Sequence, residues 1–139
     1  MDRKSFLLTS GKAAAFAALS TCFLQCSKDN SNSINAPQNV DFTIDLSTPE
    51  GQVLNNVSGA LYKNGIVIAR ISQTQFTALS QACTHQGTTV NYEAGNNRFH
   101  CPNHGSNFDV NGNVINGPAS RNLTKYNVTL NGNLLRIYS

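Results

Sequence analysis

Three of the four Asn-Gly dipeptides, Asn64-Gly65, Asn111-Gly112 and Asn131-Gly132, each stand between two short runs of strand-forming residues. Asn and Gly tolerate the positive φ that a tight hairpin turn imposes, so each dipeptide predicts an antiparallel hairpin. The first separates Ala60-Leu61-Tyr62 from Ile66-Val67-Ile68-Ala69-Arg70-Ile71, and the second Phe108-Asp109-Val110 from Val114-Ile115. The third separates Tyr126-Asn127-Val128-Thr129-Leu130 from Leu134-Leu135-Arg136-Ile137-Tyr138. Phe42-Thr43-Ile44-Asp45-Leu46 alternates apolar and polar, as a half-buried strand does. Phe76-Thr77-Ala78-Leu79 and Arg98-Phe99-His100 read as further strands, each leading into a loop that contains Cys and His. Beyond the N-terminal leader no segment sustains a 3.6-residue apolar period for more than a turn or two. The expected fold class is therefore all-β, dominated by antiparallel hairpins.

The 139 residues suffice for one domain once a leader and linker are set aside. Charged residues make up 12 % and the formal charge is +3, part of it from Arg3, Lys4 and Lys12. The remainder is close to neutral, so nucleic-acid binding has no electrostatic support. Residues 1–26 read as an export signal: a basic start, Asp2-Arg3-Lys4-Ser5-Phe6-Leu7-Leu8, then the apolar run 13–19. Lys12 interrupts the stretch from Phe6 to Leu24, which falls short of the ~18 uninterrupted apolar residues of a spanning helix. Arg3-Lys4-x-Phe6-Leu7 looks like a twin-arginine signal with Lys in place of the second Arg; a general secretory signal is the alternative.

Cys22 and Cys26 are both lipidation candidates. Leu19-Ser20-Thr21-Cys22 has the small residues of a lipoprotein recognition box, while Cys26 is followed at once by a polar tether. Residues 27–40, rich in Ser and Asn, read as a flexible linker.

The chemistry lies in Cys83-Thr84-His85-Gln86-Gly87 and Cys101-Pro102-Asn103-His104-Gly105-Ser106, with fifteen residues between His85 and Cys101. A disulfide between Cys83 and Cys101 would suit an exported protein but would explain neither histidine. A Cys₂His₂ zinc module is the alternative from another class, although zinc fingers usually pair Cys with Cys and His with His. Two thiolates and two imidazoles on two loops can instead hold a [2Fe–2S] cluster, sulfur on one iron and nitrogen on the other. His100 directly precedes Cys101, and neighbouring strand side chains point to opposite faces, so it reads as a bystander.

The C-x-H and C-x-x-H pair, followed by Gly-Ser, resembles the Rieske [2Fe–2S] family. The resemblance implies a base of antiparallel strands, a sandwich or barrel formed by about 41–81 and 119–139, carrying a cluster-binding lobe at about 82–118. It implies one cluster, with Cys83 and Cys101 on one iron and His85 and His104 on the other through Nδ1. Gly87 and Gly105 would permit tight loops, Ser106 would bond a bridging sulfide, and Pro118 in Gly117-Pro118-Ala119 would belong to a rigid covering loop. Respiratory members staple their two ligand loops with a disulfide; the matching positions here are Thr88 and Asn103. A tyrosine donor to a ligand sulfur is replaced by Phe108. With one donor lost and Ser106 kept, the expected potential lies below the respiratory proteins and above members lacking both donors.

With only His100 left over, too few histidines remain for a mononuclear iron site of the two-histidine, one-carboxylate type. The expectation is thus an electron carrier or redox-complex subunit rather than a self-contained enzyme. Its partner would be a cytochrome, an oxidase or a quinol-oxidising subunit. Its place would be the periplasmic side of a bacterial membrane, held there by lipid.

Overall fold

The computed structural model describes residues 36–139. The expected export signal, Cys22, Cys26 and the expected linker up to residue 35 lie outside the described residues. Ten strands follow in order: β1 (Asp41–Asp45), β2 (Ala60–Lys63), β3 (Ile66–Arg70), β4 (Phe76–Ser80), β5 (Asn91–Glu93), β6 (Arg98–His100), β7 (Asn107–Asp109), β8 (Val114–Asn116), β9 (Lys125–Asn131) and β10 (Leu134–Tyr138). They form a six-stranded antiparallel sheet, ordered β1-β10-β9-β4-β3-β2, and a four-stranded sheet, ordered β5-β6-β7-β8. The large sheet curls into a half-barrel.

The hairpins differ in how they use their turn residues. At β2–β3 both Asn64 (φ 52°) and Gly65 (φ 78°) are left-handed, as a two-residue turn matched to the strand twist requires. At β9–β10 strand pairing runs through Asn131 opposite Leu134, so the turn residues are Gly132 and Asn133, one position later than the dipeptide suggests. Gly132, at φ 60°, supplies the left-handed residue alone. Between β7 and β8 the loop is wider, and Gly112 takes the positive φ while its amide donates to the Asp109 carbonyl (2.9 Å).

Two apolar clusters lie on opposite sides of a shared wall. One joins Val40, Ile44, Leu46, Leu54, Ile66, Ile68, Ala78, Tyr126, Leu135 and Ile137 inside the large sheet. The other joins Val67, Ala69, Leu79, Cys83, Val90, Phe99, Cys101, Phe108, Ala119 and Leu123 beneath the ligand loops. Strands β3 and β4 supply both: Ile66 and Ile68 face one side, Val67 and Ala69 the other, and Ala78 and Leu79 divide likewise. A strand covered on both faces needs apolar residues at successive positions, which is why Ile66-Val67-Ile68-Ala69 does not alternate. Phe99 and Phe108 are fully buried and cross-strand partners. Each contributes about 1.5–3 kcal/mol from burial.

Polar ties fasten the small sheet to the large one. The Thr77 hydroxyl donates to the Val110 carbonyl (2.7 Å), and Tyr62 Oη donates to Val90 O (3.1 Å) while accepting the Tyr92 amide (3.2 Å). Residues 36–40, the last part of the expected linker, are held against the large sheet. Val40 is buried, and the Tyr126 hydroxyl donates to the Pro37 carbonyl (2.9 Å). The order that the composition of this stretch hides comes from these contacts, made by residues distant in sequence.

Candidate metal centre

The two ligand loops close on the same backbone turn. In one, the Cys83 amide donates to Thr88 O (2.8 Å) and the Gly87 amide to Cys83 O (2.8 Å). In the other, the Cys101 amide donates to Ser106 O (2.8 Å) and the Gly105 amide to Cys101 O (3.0 Å). Gly87 and Gly105, at φ +83° and +81°, hold the left-handed position that closes each turn, where a Cβ would be strained. The histidine is third from the start of the first loop and fourth in the second, yet the rings meet. His85 Nδ1 and His104 Nδ1 lie 3.1 Å apart, the rings edge to face with centroids separated by 4.8 Å.

Cys83 and Cys101 are both buried and both free thiols. Burial pushes the Cys83 thiol up; the backbone amides of His85 and Gln86 pull the other way by favouring the thiolate, while the Cys101 sulfur beside it adds to the rise. Without a cation the Cys83 thiol would thus resist ionising, and a bound cation would reverse that preference.

The four side chains sort two by two, a buried thiol pair and a more exposed imidazole pair. Among the described residues, no three His, Cys, Asp or Glu side chains are grouped to hold a single metal ion. That sorting fits a two-iron cluster with a pair of protein donors at each iron.

Around the donors, Ser106 is fully buried and its Oγ accepts the Ala119 amide (2.9 Å). With a lone pair so engaged, its O–H proton is free to point elsewhere. Pro118 follows a cis peptide bond and stands exposed beside buried Ala119. Phe108 is buried in the apolar cluster that contains both thiols. Thr88 is half-buried and Asn103 exposed. Thr84 Oγ1 donates to the Arg121 carbonyl (2.5 Å), tying the first loop to the segment after Pro118. His100 stands apart from the imidazole pair, its Nδ1 2.8 Å from Asn107 Oδ1.

The family description for the Rieske [2Fe-2S] domain matches residues 38–127, most of the chain. The chain belongs to the Rieske [2Fe–2S] family. It carries one Rieske-type [2Fe–2S] cluster, a centre for one-electron transfer, and this decides against the zinc reading of the same donor set. Among its relatives, the cytochrome b6-f complex iron-sulfur subunit of Synechococcus sp. (strain JA-3-3Ab) is 47 % identical over 58 residues, covering 42 % of this chain and 34 % of that subunit. The corresponding subunit of Prochlorococcus marinus (strain MIT 9301) is 35 % identical over 65 residues, covering 47 % of this chain and 36 % of the subunit. The Rieske chain thus spans about a third of the length of these relatives. The cyanobacterial plasma membrane Rieske protein PetC3 from Synechocystis PCC 6803 superposes with a TM-score of 0.50 at 33 % identity, covering 53 % of this chain and 76 % of that one. The ferredoxin of carbazole 1,9a-dioxygenase from Nocardioides aromaticivorans IC177 shares the fold (TM-score 0.51, 23 % identity, 75 % and 98 % covered).

Sequence reasoning assigned no contact to the side chains of Thr84, Asn107 and Asn116, which bond to the Arg121 and Gly105 carbonyls. The hydrogen bonds of these polar residues reach segments that only the sheet register and the covering loop bring near, so no local pattern marks them.

Proposed function

We propose that Cys83 and Cys101 hold one iron, that His85 and His104 hold the other through Nδ1, and that the chain passes single electrons to a membrane redox complex. The observation that carries this reading is the convergence of two Nδ1 atoms to 3.1 Å on two loops whose cysteines are buried side by side. When bound, the cluster accepts and releases one electron at a time, and replacing two thiolates by neutral imidazoles sets its potential in a span of about −150 to +300 mV. With Nδ1 turned inward, the Nε2 edge of each ring faces outward, giving an electron its shortest route to a partner. Gly87 and Gly105 close the loops around the sulfur donors. Ser106, held by the Ala119 amide, presents its hydroxyl to a bridging sulfide, and Pro118 keeps water from the site.

Similarity to cytochrome b6-f iron-sulfur subunits and to a plasma membrane Rieske protein supports a membrane redox complex as the partner, with a cytochrome, an oxidase or a quinol-oxidising subunit at the exposed histidine edge. Among the described residues no helix is long and apolar enough to cross a membrane. Export through residues 1–26 and a lipid on Cys22 or Cys26 would place the domain on the periplasmic side of its membrane.

A visible and electron paramagnetic resonance spectrum of the purified protein tests the central claim. A Rieske signal is expected; a colourless preparation with stoichiometric zinc would overturn it. Radiolabelled palmitate should enter the full chain and be lost in Cys22→Ser or in Cys26→Ser. Label retained in the double variant would exclude both positions.

A further inference from the structure

Across the small sheet, Asn91, His100, Asn107 and Asn116 are successive cross-strand partners, one from each strand. The neighbouring row, Tyr92, Phe99, Phe108 and Val114, packs into or against the apolar cluster under the loops. Cross-strand partners share a face and adjacent rows alternate along β5, β6 and β7. A bulge in the β7–β8 pairing lets Asn116 join the first row although it lies two residues from Val114, so that row is a polar ladder on the opposite face. Asn107 in its middle is only 8 % exposed, and a buried amide is costly unless its hydrogen bonds are made.

They are made, and in one direction. Asn107 Nδ2 donates to Asn116 Oδ1 (2.7 Å) and to the Gly105 carbonyl (3.2 Å). Because both of those partners are acceptors, the Asn107 amide orientation follows, and Oδ1 must face His100, whose Nδ1 is then the donor. Asn116 Nδ2 donates to the Gly105 carbonyl (2.9 Å) and to the Gly117 carbonyl (2.9 Å). The Gly105 carbonyl thus receives two side-chain amides, while its own N–H is held by Cys101. Gly105 lies between His104 and Ser106, and Gly117 opens the covering loop.

We propose that Asn116, backed by Asn107 and His100, is a positioning residue. By binding the Gly105 and Gly117 carbonyls with one amide, it fixes the second ligand loop against the covering loop, and so sets where His104 and Ser106 stand at the cluster. This role rests on the cluster assignment above. It answers a need created by Thr88 and Asn103, which leave the loops without a covalent staple between them.

The test uses the full chain with its cluster. Asn116→Ala removes the whole clamp, and Asn116→Asp keeps its shape and acceptor but removes both donor hydrogens. Asn116 is exposed, which limits the cost to folding. Asn122→Ala is the control, since that amide bonds the Val114 amide (3.0 Å) and Asn113 Oδ1 (3.1 Å) in the same lobe. Both Asn116 variants should keep a Rieske signal with shifted g-values. A chelator should bleach them about tenfold to a hundredfold faster, the usual cost of removing a residue that orients a metal ligand. Asn122→Ala should behave as the wild type. Unchanged g-values and bleaching in both Asn116 variants would overturn the proposal, as would equal effects in Asn122→Ala, which would signify general loosening of the lobe. Failure of the cluster assignment itself would show separately, as a wild-type protein without the Rieske signal.

Discussion

The loop from Cys83 to Thr88 and the loop from Cys101 to Ser106 close on the same pair of backbone hydrogen bonds, but different side chains hold them in place. Thr84 ties the first to the Arg121 carbonyl through one hydroxyl. The second is held by the Ser106–Ala119 bond and by the asparagine amides that converge on Gly105. Both are anchored to segment 117–121, and they also meet each other at His85 and His104. A cluster lobe can thus be made firm through a third strip of chain, and the firmness need not be equal on its two sides.

The largest effects should be equal in the two loops and so mark the limit of the comparison. Cys83→Ser and Cys101→Ser should each abolish the visible chromophore, since both thiols are buried and neither has a substitute nearby. His104→Cys, if it retains a cluster, should drive the potential toward the about −400 mV of all-cysteine ferredoxins. A potential still within the Rieske span would remove His104 from the ligand set.

Next in size, Ser106 and Thr88 occupy the same position of their respective turns, and only Ser106 is fully buried with its hydroxyl oxygen fixed. Ser106→Ala should lower the potential by about 65–130 mV, the equivalent of the about 1.5–3 kcal/mol of a hydrogen bond to a charged group. Thr88→Ala should leave it nearly unchanged. Equal shifts in voltammetry would mean that the turn position, rather than the fixed hydroxyl, tunes the site.

Thr84→Val tests the weaker anchor. It should cost about 1 kcal/mol in thermal unfolding and speed cluster loss, with little change in potential. A potential shift as large as that of Ser106→Ala would show that the first loop is the more finely positioned of the two.

The smallest effect concerns Asp109, whose carboxylate accepts the Asn111 and Asn113 amides at the β7–β8 loop, beyond the second ligand loop. Burial works against its ionisation, but donors from Asn113 and Asn111 and the Lys125 charge outweigh it and hold the carboxyl below its usual range. Its stabilisation is therefore complete above the unfolded pKa of about 3.9 and lost as pH falls through the depressed folded value. Asp109→Ala should cost no more than about 1 kcal/mol at neutral pH, with the difference closing in acid. A gap that persisted in acid would assign the role to packing rather than charge.

Much of this was legible before the fold. Phe42-Thr43-Ile44-Asp45-Leu46 announces a strand because one face meets the core, and Asn64-Gly65 announces its turn because both residues take positive φ. The Cys-His spacing stood out because each of two short loops carries one Cys and one His, and the fold brings the two histidines together. Strand β5 was not, because Asn91-Tyr92-Glu93 offers one apolar residue and no period; pairing with β6 makes it a strand. The polar ladder was hidden for a related reason. His100, Asn107 and Asn116 become neighbours only through register, and polar residues carry no periodic mark of the face they share.

The wall formed by β3 and β4 bears on how this protein could be taken apart. Val67, Ala69 and Leu79 floor the metal lobe although they belong to the large sheet. A fragment cut at the lobe's own boundaries would leave its thiols over an open apolar surface. The lobe is therefore no transplantable cassette; an engineer moving this redox centre to another scaffold would have to carry the β3–β4 hairpin with it.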